Sequence, residues 1–150
     1  MYDLLAGSWH LRYSTFPMWH KPGISGVTFN YTPIQEHGVA VLKDEVRYLK
    51  NGSTKTLSGY DIPDNSDDSV YTWRGYGWLR LFSSRWKVEW MSVAQDCIII
   101  SFAATWVSPA GIDILAMTTS KSEGAIQEAL SIVAKQGLLH GISQPLITVA

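Results

Sequence analysis

Apolar and polar residues alternate with a period of two through most of the first 118 residues, and the period then changes to that of a helix. The first alternating segment runs from Trp9 to Phe16, with Trp9, Leu11, Tyr13 and Thr15 on one face and His10, Arg12 and Ser14 on the other. Pro17 to Gly26, with two prolines and two glycines, interrupts it. Val27–Thr32 resumes the alternation. In Gly38–Leu49 the charges Lys43, Glu45 and Arg47 mark the wet face, which turns Leu42, Asp44, Val46 and Tyr48 inward. Asn51-Gly52 is a hairpin turn signal, and Thr54–Asp61 follows it. The polar run Pro63–Asp68 turns the chain into Val70–Tyr76. In Leu79–Met91, Trp86, Val88 and Trp90 alternate with Arg85, Lys87 and Glu89. Cys97–Val107 and Ile112–Thr118 are the seventh and eighth segments, separated by Ser108-Pro109-Ala110-Gly111.

From there Ser120 and Glu123 have the spacing of a capping box, and Ala125, Ile126, Ala129, Leu130, Ile132 and Val133 form an apolar stripe. A helix over about 121–136 is predicted, followed by a tail over 138–150. Within that tail, Pro145–Val149 reads as a ninth edge strand or as an arm onto another subunit. Eight consecutive strands with short links favour an antiparallel meander, and closure removes its exposed edges. The expected fold is mainly β: an eight-stranded antiparallel up-and-down β-barrel with one C-terminal α-helix packed outside. The 150 residues are expected to form a single domain, 1–150.

Composition narrows the function. Lys and Arg total 12 against 13 Asp and Glu, a net charge of −1 with no basic run, which argues against a nucleic-acid partner. The one cysteine, Cys97, lies in an apolar run and reads as a buried thiol. The start of the chain lacks a signal-peptide pattern and no apolar run is long enough to span a bilayer, so a cytoplasmic protein is expected. Seven Trp and seven Tyr beside four Phe are more amphipathic rings than a plain core needs, and they suit a ligand cavity or an interface.

The triplet Gly7-Ser8-Trp9 on the first strand, then eight strands and one late helix, resembles the lipocalins and the wider calycin superfamily. The order of elements carries the resemblance over nearly the whole chain. It implies a container whose closed end holds Trp9, with Pro17–Gly26 as a lid over the mouth. On that plan Trp19 and His20 lie on the lid, Tyr48 and Trp106 near the rim, and Asp44 deeper. Lys121 would match the basic residue that packs on the first Trp in lipocalins.

Asp44 is the sharpest candidate for chemistry, because burial in an apolar barrel raises a carboxyl's pKa toward that of a general acid or base. The alternative is a structural Asp paired with a buried Arg or Tyr. Arg74 can face inward, to bind a ligand oxygen, or outward, and His20 is either a lid proton shuttle or a solvated loop residue. Asp44, Tyr48, Arg74 and His20 form the candidate catalytic set. Tyr13, Trp19, Phe29, Tyr31, Trp73, Trp86, Trp90 and Trp106 are the candidate ligand-binding wall. No metal-ligand or phosphate-loop spacing occurs, so neither metal nor cofactor is expected. The expected activity is cofactor-independent cyclisation or isomerisation of a hydrophobic, conjugated or polycyclic small molecule. A non-catalytic carrier or sensor of such a molecule, and an interaction module with its rings at a homodimer interface, are the alternatives.

Overall fold

Alternation translates into pairing. The computed structural model describes residues 1–118 and 123–150. Its strands are β1 (Gly7–Ser14), β2 (Ile24–Glu36), β3 (Val39–Lys50), β4 (Ser53–Pro63), β5 (Val70–Gly75), β6 (Ser83–Met91), β7 (Cys97–Phe102) and β8 (Gly111–Met117). Each pairs antiparallel with the next, and β1 pairs with both β2 and β8, so the eight close into a barrel. The helix α1 (Glu123–Lys135) lies outside the barrel. The expected cap residue Ser120, and Lys121, fall outside the described residues; Glu123 is described, and its Oε1 accepts a 2.6 Å bond from Arg12.

The expected segments differ from the strands mainly at their ends. β2 is longer than Val27–Thr32, and the hairpin at Asn51-Gly52 has the positive φ angles (50° and 80°) that its residues favour. A 3-10 turn at Gly77–Leu81 takes what was read as the start of β6, and β7 stops at Phe102 rather than Val107.

Alternation sorts the side chains into two cores. Ile98 and Ile100 of β7 face the lumen with Trp9, Leu11, Leu115 and Trp86. Ile99 points the other way, toward Ile112, Ile114 and the buried face of α1, namely Ile126, Ala129 and Val133. Burying Ile126 and Val133 stabilises the docked helix by about 1.5–3 kcal/mol each.

Two bulges break the parity. One lies between Leu11 and Tyr13, where β1 slips by a residue against β8. Leu11 is opposite the inward Leu115, but Tyr13 is opposite the outward Ile114, and Ser14 then turns inward opposite Asp113. The other bulge, between Val88 and Trp90, leaves Val88 inside opposite Ile100 and sets Trp90 opposite Ile99 on the outer side. The simple odd–even reading of both strands is thereby corrected after each slip.

The tail forms β9 (Ile147–Thr148), the edge strand among the two sequence readings. It pairs with Tyr13 and Ser14, whereas β2 pairs only with Gly7–His10. Gly26 N–H donates to the Ala150 carbonyl and Val149 N–H to that of Arg12, so the tail bridges the gap where β2 leaves β1.

Candidate functional site

One end of the barrel is stoppered. A 3-10 turn at Tyr2–Leu5 lies across it, held by Trp9 Nε1–H to the Leu5 carbonyl (2.8 Å) and by the Tyr2 hydroxyl to the Val41 carbonyl (2.8 Å). At the other end the Pro17–His20 turn brings Phe16, Met18 and Trp19 over the lumen. Pro17 starts that turn where its missing N–H costs no hydrogen bond. Between the ends lies a cavity of about 230 Å³. Phe29, Tyr31, Val46, Leu57, Trp73, Trp86 and Phe102 supply its apolar walls. No Lys, Arg or His is among its described lining residues, but Asp44 and Asp113 are.

Asp44 is inside because β3 keeps strict alternation; it stands opposite Tyr31 across β2 and opposite Gly59 across β4. A Cβ on Gly59 would lie 2.6 Å from the Trp73 ring and 2.5 Å from the Arg74 carbonyl, so the missing side chain is what seats Trp73 beside Asp44. Two residues further along β4, Asp61 faces the same way and is fully buried. Its Oδ1 accepts the Trp86 indole N–H at 2.8 Å. Trp86 in turn stacks on Tyr71 (4.6 Å between ring centres) and Tyr31 (5.8 Å).

Burial pushes Asp44 up to about 7, against which a hydrogen bond from Asp61 favours its charged form. Asp61 is held well above the usual carboxylate range by its own burial and then by the charge of Asp44. The pair thus holds one proton near neutral pH, carried by Asp61 and donated to Asp44. Asp44 Oδ1 and Asp61 Oδ2 have no other hydrogen-bond partner among the described residues. Burial also raises the Tyr31 phenol, with Asp44 next in effect, so Tyr31 remains a protonated donor. Asp113 is pushed up to about 7 by burial, opposed by a hydrogen bond with Ser14.

Of the sequence candidates, Asp44, Trp19, Phe29, Tyr31, Trp73 and Trp86 line one cavity. Tyr48 does not line it; it meets Trp19 edge-on at 5.4 Å. His20 is half-buried, with Nε2 2.9 Å from the Ser14 carbonyl. Arg74 is exposed, because Trp73 takes the inward parity of β5, and its outward reading is the one realised. Tyr13 and Trp90 pack in the outer cluster, carried there by the two bulges. Trp106 is 88 % exposed and stacks on Phe82 at 6.5 Å, away from the wall.

Asp61, Asp113 and Ser14 were not singled out from the sequence. Asp113 did carry a signal, as one carboxylate within the apolar run Ile112–Ala116. Asp61 follows the parity of Leu57 and Gly59, but the polar turn after Pro63 masks it. Ser14 needed knowledge of the bulge.

No model of a known protein family matches the sequence, and no curated protein does. Solved structures do. Insecticyanin from the tobacco hornworm Manduca sexta superposes with a TM-score of 0.71 at 13 % identity, covering 99 % of this chain and 79 % of that one. The siderocalin Ex-FABP gives 0.64 at 10 % identity, over 89 % of this chain and 87 % of its own. The bovine lipocalin allergen Bos d 2 gives 0.55 at 13 % identity, over 95 % and 97 %. A stoppered eight-stranded barrel with an external helix, superposing on these three, has a lipocalin-like fold.

Proposed function

We propose that the barrel encloses a small hydrophobic molecule and isomerises or cyclises it by proton transfer through Asp44, without a cofactor. The carrying observation is a buried carboxyl, Asp44, on the wall of an aromatic cavity with a second buried carboxyl, Asp61, beside it, a setting whose burial raises both above the usual carboxylate range. In this reading Asp44 takes a proton from the substrate as general base and returns it at another position, so no atoms are gained or lost. Asp61, aligned by the Trp86 indole, stabilises the Asp44 carboxylate before the first transfer and again after the second. Tyr31 donates to oxygen on which negative charge develops. Excluding water strengthens each of these interactions. A volume of about 230 Å³, roughly eight waters' worth, favours a compact conjugated molecule over a large polycycle.

The second reading is a carrier in which the same groups only anchor the ligand. The fold likeness favours it: the siderocalin described above functions through dual ligand specificities. Native mass spectrometry and chromatography of wild-type protein and Asp44→Asn, each purified from the protein's own cells, separate the readings. Catalysis predicts ligands of one mass but different retention times, substrate from the variant and product from the wild type. The same molecule from both supports the carrier; no small molecule from either overturns the container.

A further inference from the structure

Asp113 stands apart from the Asp44–Asp61 pair. It projects from β8, three strands from β3 around the barrel through β1 and β2, yet both carboxyls line the same cavity. Only 1 % of Asp113 is exposed, and its Oδ1 has no partner among the described residues. Ser14 is its one polar contact there, and the Ser14 oxygen already accepts the Phe16 N–H at 3.0 Å. The polar and titratable groups around it are Ser14 of β1 and Tyr31 of β2, with Asp44 of β3 on the wall of the same cavity and His20 engaged by the Ser14 carbonyl. None of the cavity's described lining residues is cationic. A buried carboxylate in that setting is costly unless a positive group reaches it.

We propose that Asp113 anchors the ammonium group of a small aromatic amine, whose apolar body lies against Trp86 and Trp73. This rests on the reading that the cavity binds a small molecule, and it names the class. An ammonium satisfies the bare Oδ1 with a charge-assisted hydrogen bond. The electron-rich faces of the lining rings attract the same cation. A carboxylate ligand would meet two acids and no base. A neutral ligand would leave Asp113 as it is. The Asp44–Asp61 pair, already joined through its own proton, stays free for chemistry on the body of the bound amine.

Isothermal titration calorimetry with three probes of one shape tests this: 2-phenylethylamine, 2-phenylethanol and 3-phenylpropionate. The amine is expected to bind at least about tenfold more tightly than the alcohol, and the acid least. Near neutral pH, amine binding is expected to release protons as Asp113 ionises, read as a heat that varies with the buffer. In Asp113→Asn the amine should lose its advantage while the alcohol keeps its affinity within about twofold. Alcohol or acid binding as tightly as the amine overturns the amine assignment and leaves the container standing. An amine preference that survives Asp113→Asn overturns the role of Asp113. If none of the three binds, the amine class and the container reading both fall.

Discussion

Asp61 sits diagonally across the β3–β4 ladder from Asp44: Asp44 pairs with Gly59, and Asp61 lies two residues further along on the same inner face. Diagonal neighbours on one face of a sheet are within reach of each other, and here both are buried carboxyls. One proton between them removes a like-charge repulsion and makes a hydrogen bond.

That proton, and the one on Asp113, make stability depend on pH in an uncommon direction. An unfolded Asp releases its proton near 3.8, whereas folded Asp44 and Asp113 hold theirs to about 7 and Asp61 holds its own longer. Over that interval the folded state binds more protons, so stability falls as pH rises. For Asp113 the gap from 3.8 to about 7 corresponds to a loss of at most about 4 kcal/mol. Asp113→Asn should therefore match the wild type near pH 4 and exceed it near pH 8, by urea denaturation across that range. A difference that does not vary with pH would contradict it.

Trp86→Phe keeps a ring in the stack with Tyr31 and Tyr71 but removes the N–H that Asp61 accepts at 2.8 Å. An unsatisfied buried acceptor is expected to cost about 1–3 kcal/mol. Equilibrium denaturation measures the loss, and the pH profile of any turnover should shift upward as Asp61 holds its proton more firmly.

Gly59→Ala should displace Trp73, because the new Cβ would sit 2.6 Å from its ring. The displacement is expected to cost about 1–3 kcal/mol. It also changes the cavity wall beside Asp44, so ligand affinity should fall more than in Leu57→Val, which trims the same cavity without moving the backbone. Thermal melts and ligand titrations on the two variants give the comparison.

Val149→Pro removes the N–H that bonds the Arg12 carbonyl and weakens the hold of the tail on β1. Amide exchange at Gly26, whose N–H is bonded to Ala150, should accelerate while that of Ile98 and Ile100 in the barrel core stays slow. Uniform acceleration would show instead that the tail contributes to global stability.

The barrel was legible because most strands keep strict parity: Leu42, Asp44 and Val46 point inward as their charged neighbours require. Six of the expected site and wall residues meet at one cavity for the same reason. What parity could not reveal was a slip. Tyr13 and Trp90 share an alternating pattern with Leu11 and Val88, and nothing in the letters marks the inserted residue between them. The acidic lining was partly readable, since Asp113 interrupts an apolar strand, but its meeting with Ser14 depends on that same slip. Trp106 resembled a wall residue only while β7 was taken to reach it.

The bulge between Val88 and Trp90 therefore governs more than local geometry. Were β6 regular, with Glu89 paired to Ile99, Trp90 would stand opposite Ile98 and its indole would turn into the barrel, while the seat of α1 lost a contact. One inserted peptide unit in the sixth strand thus decides whether that indole props the helix or crowds the inside of the barrel.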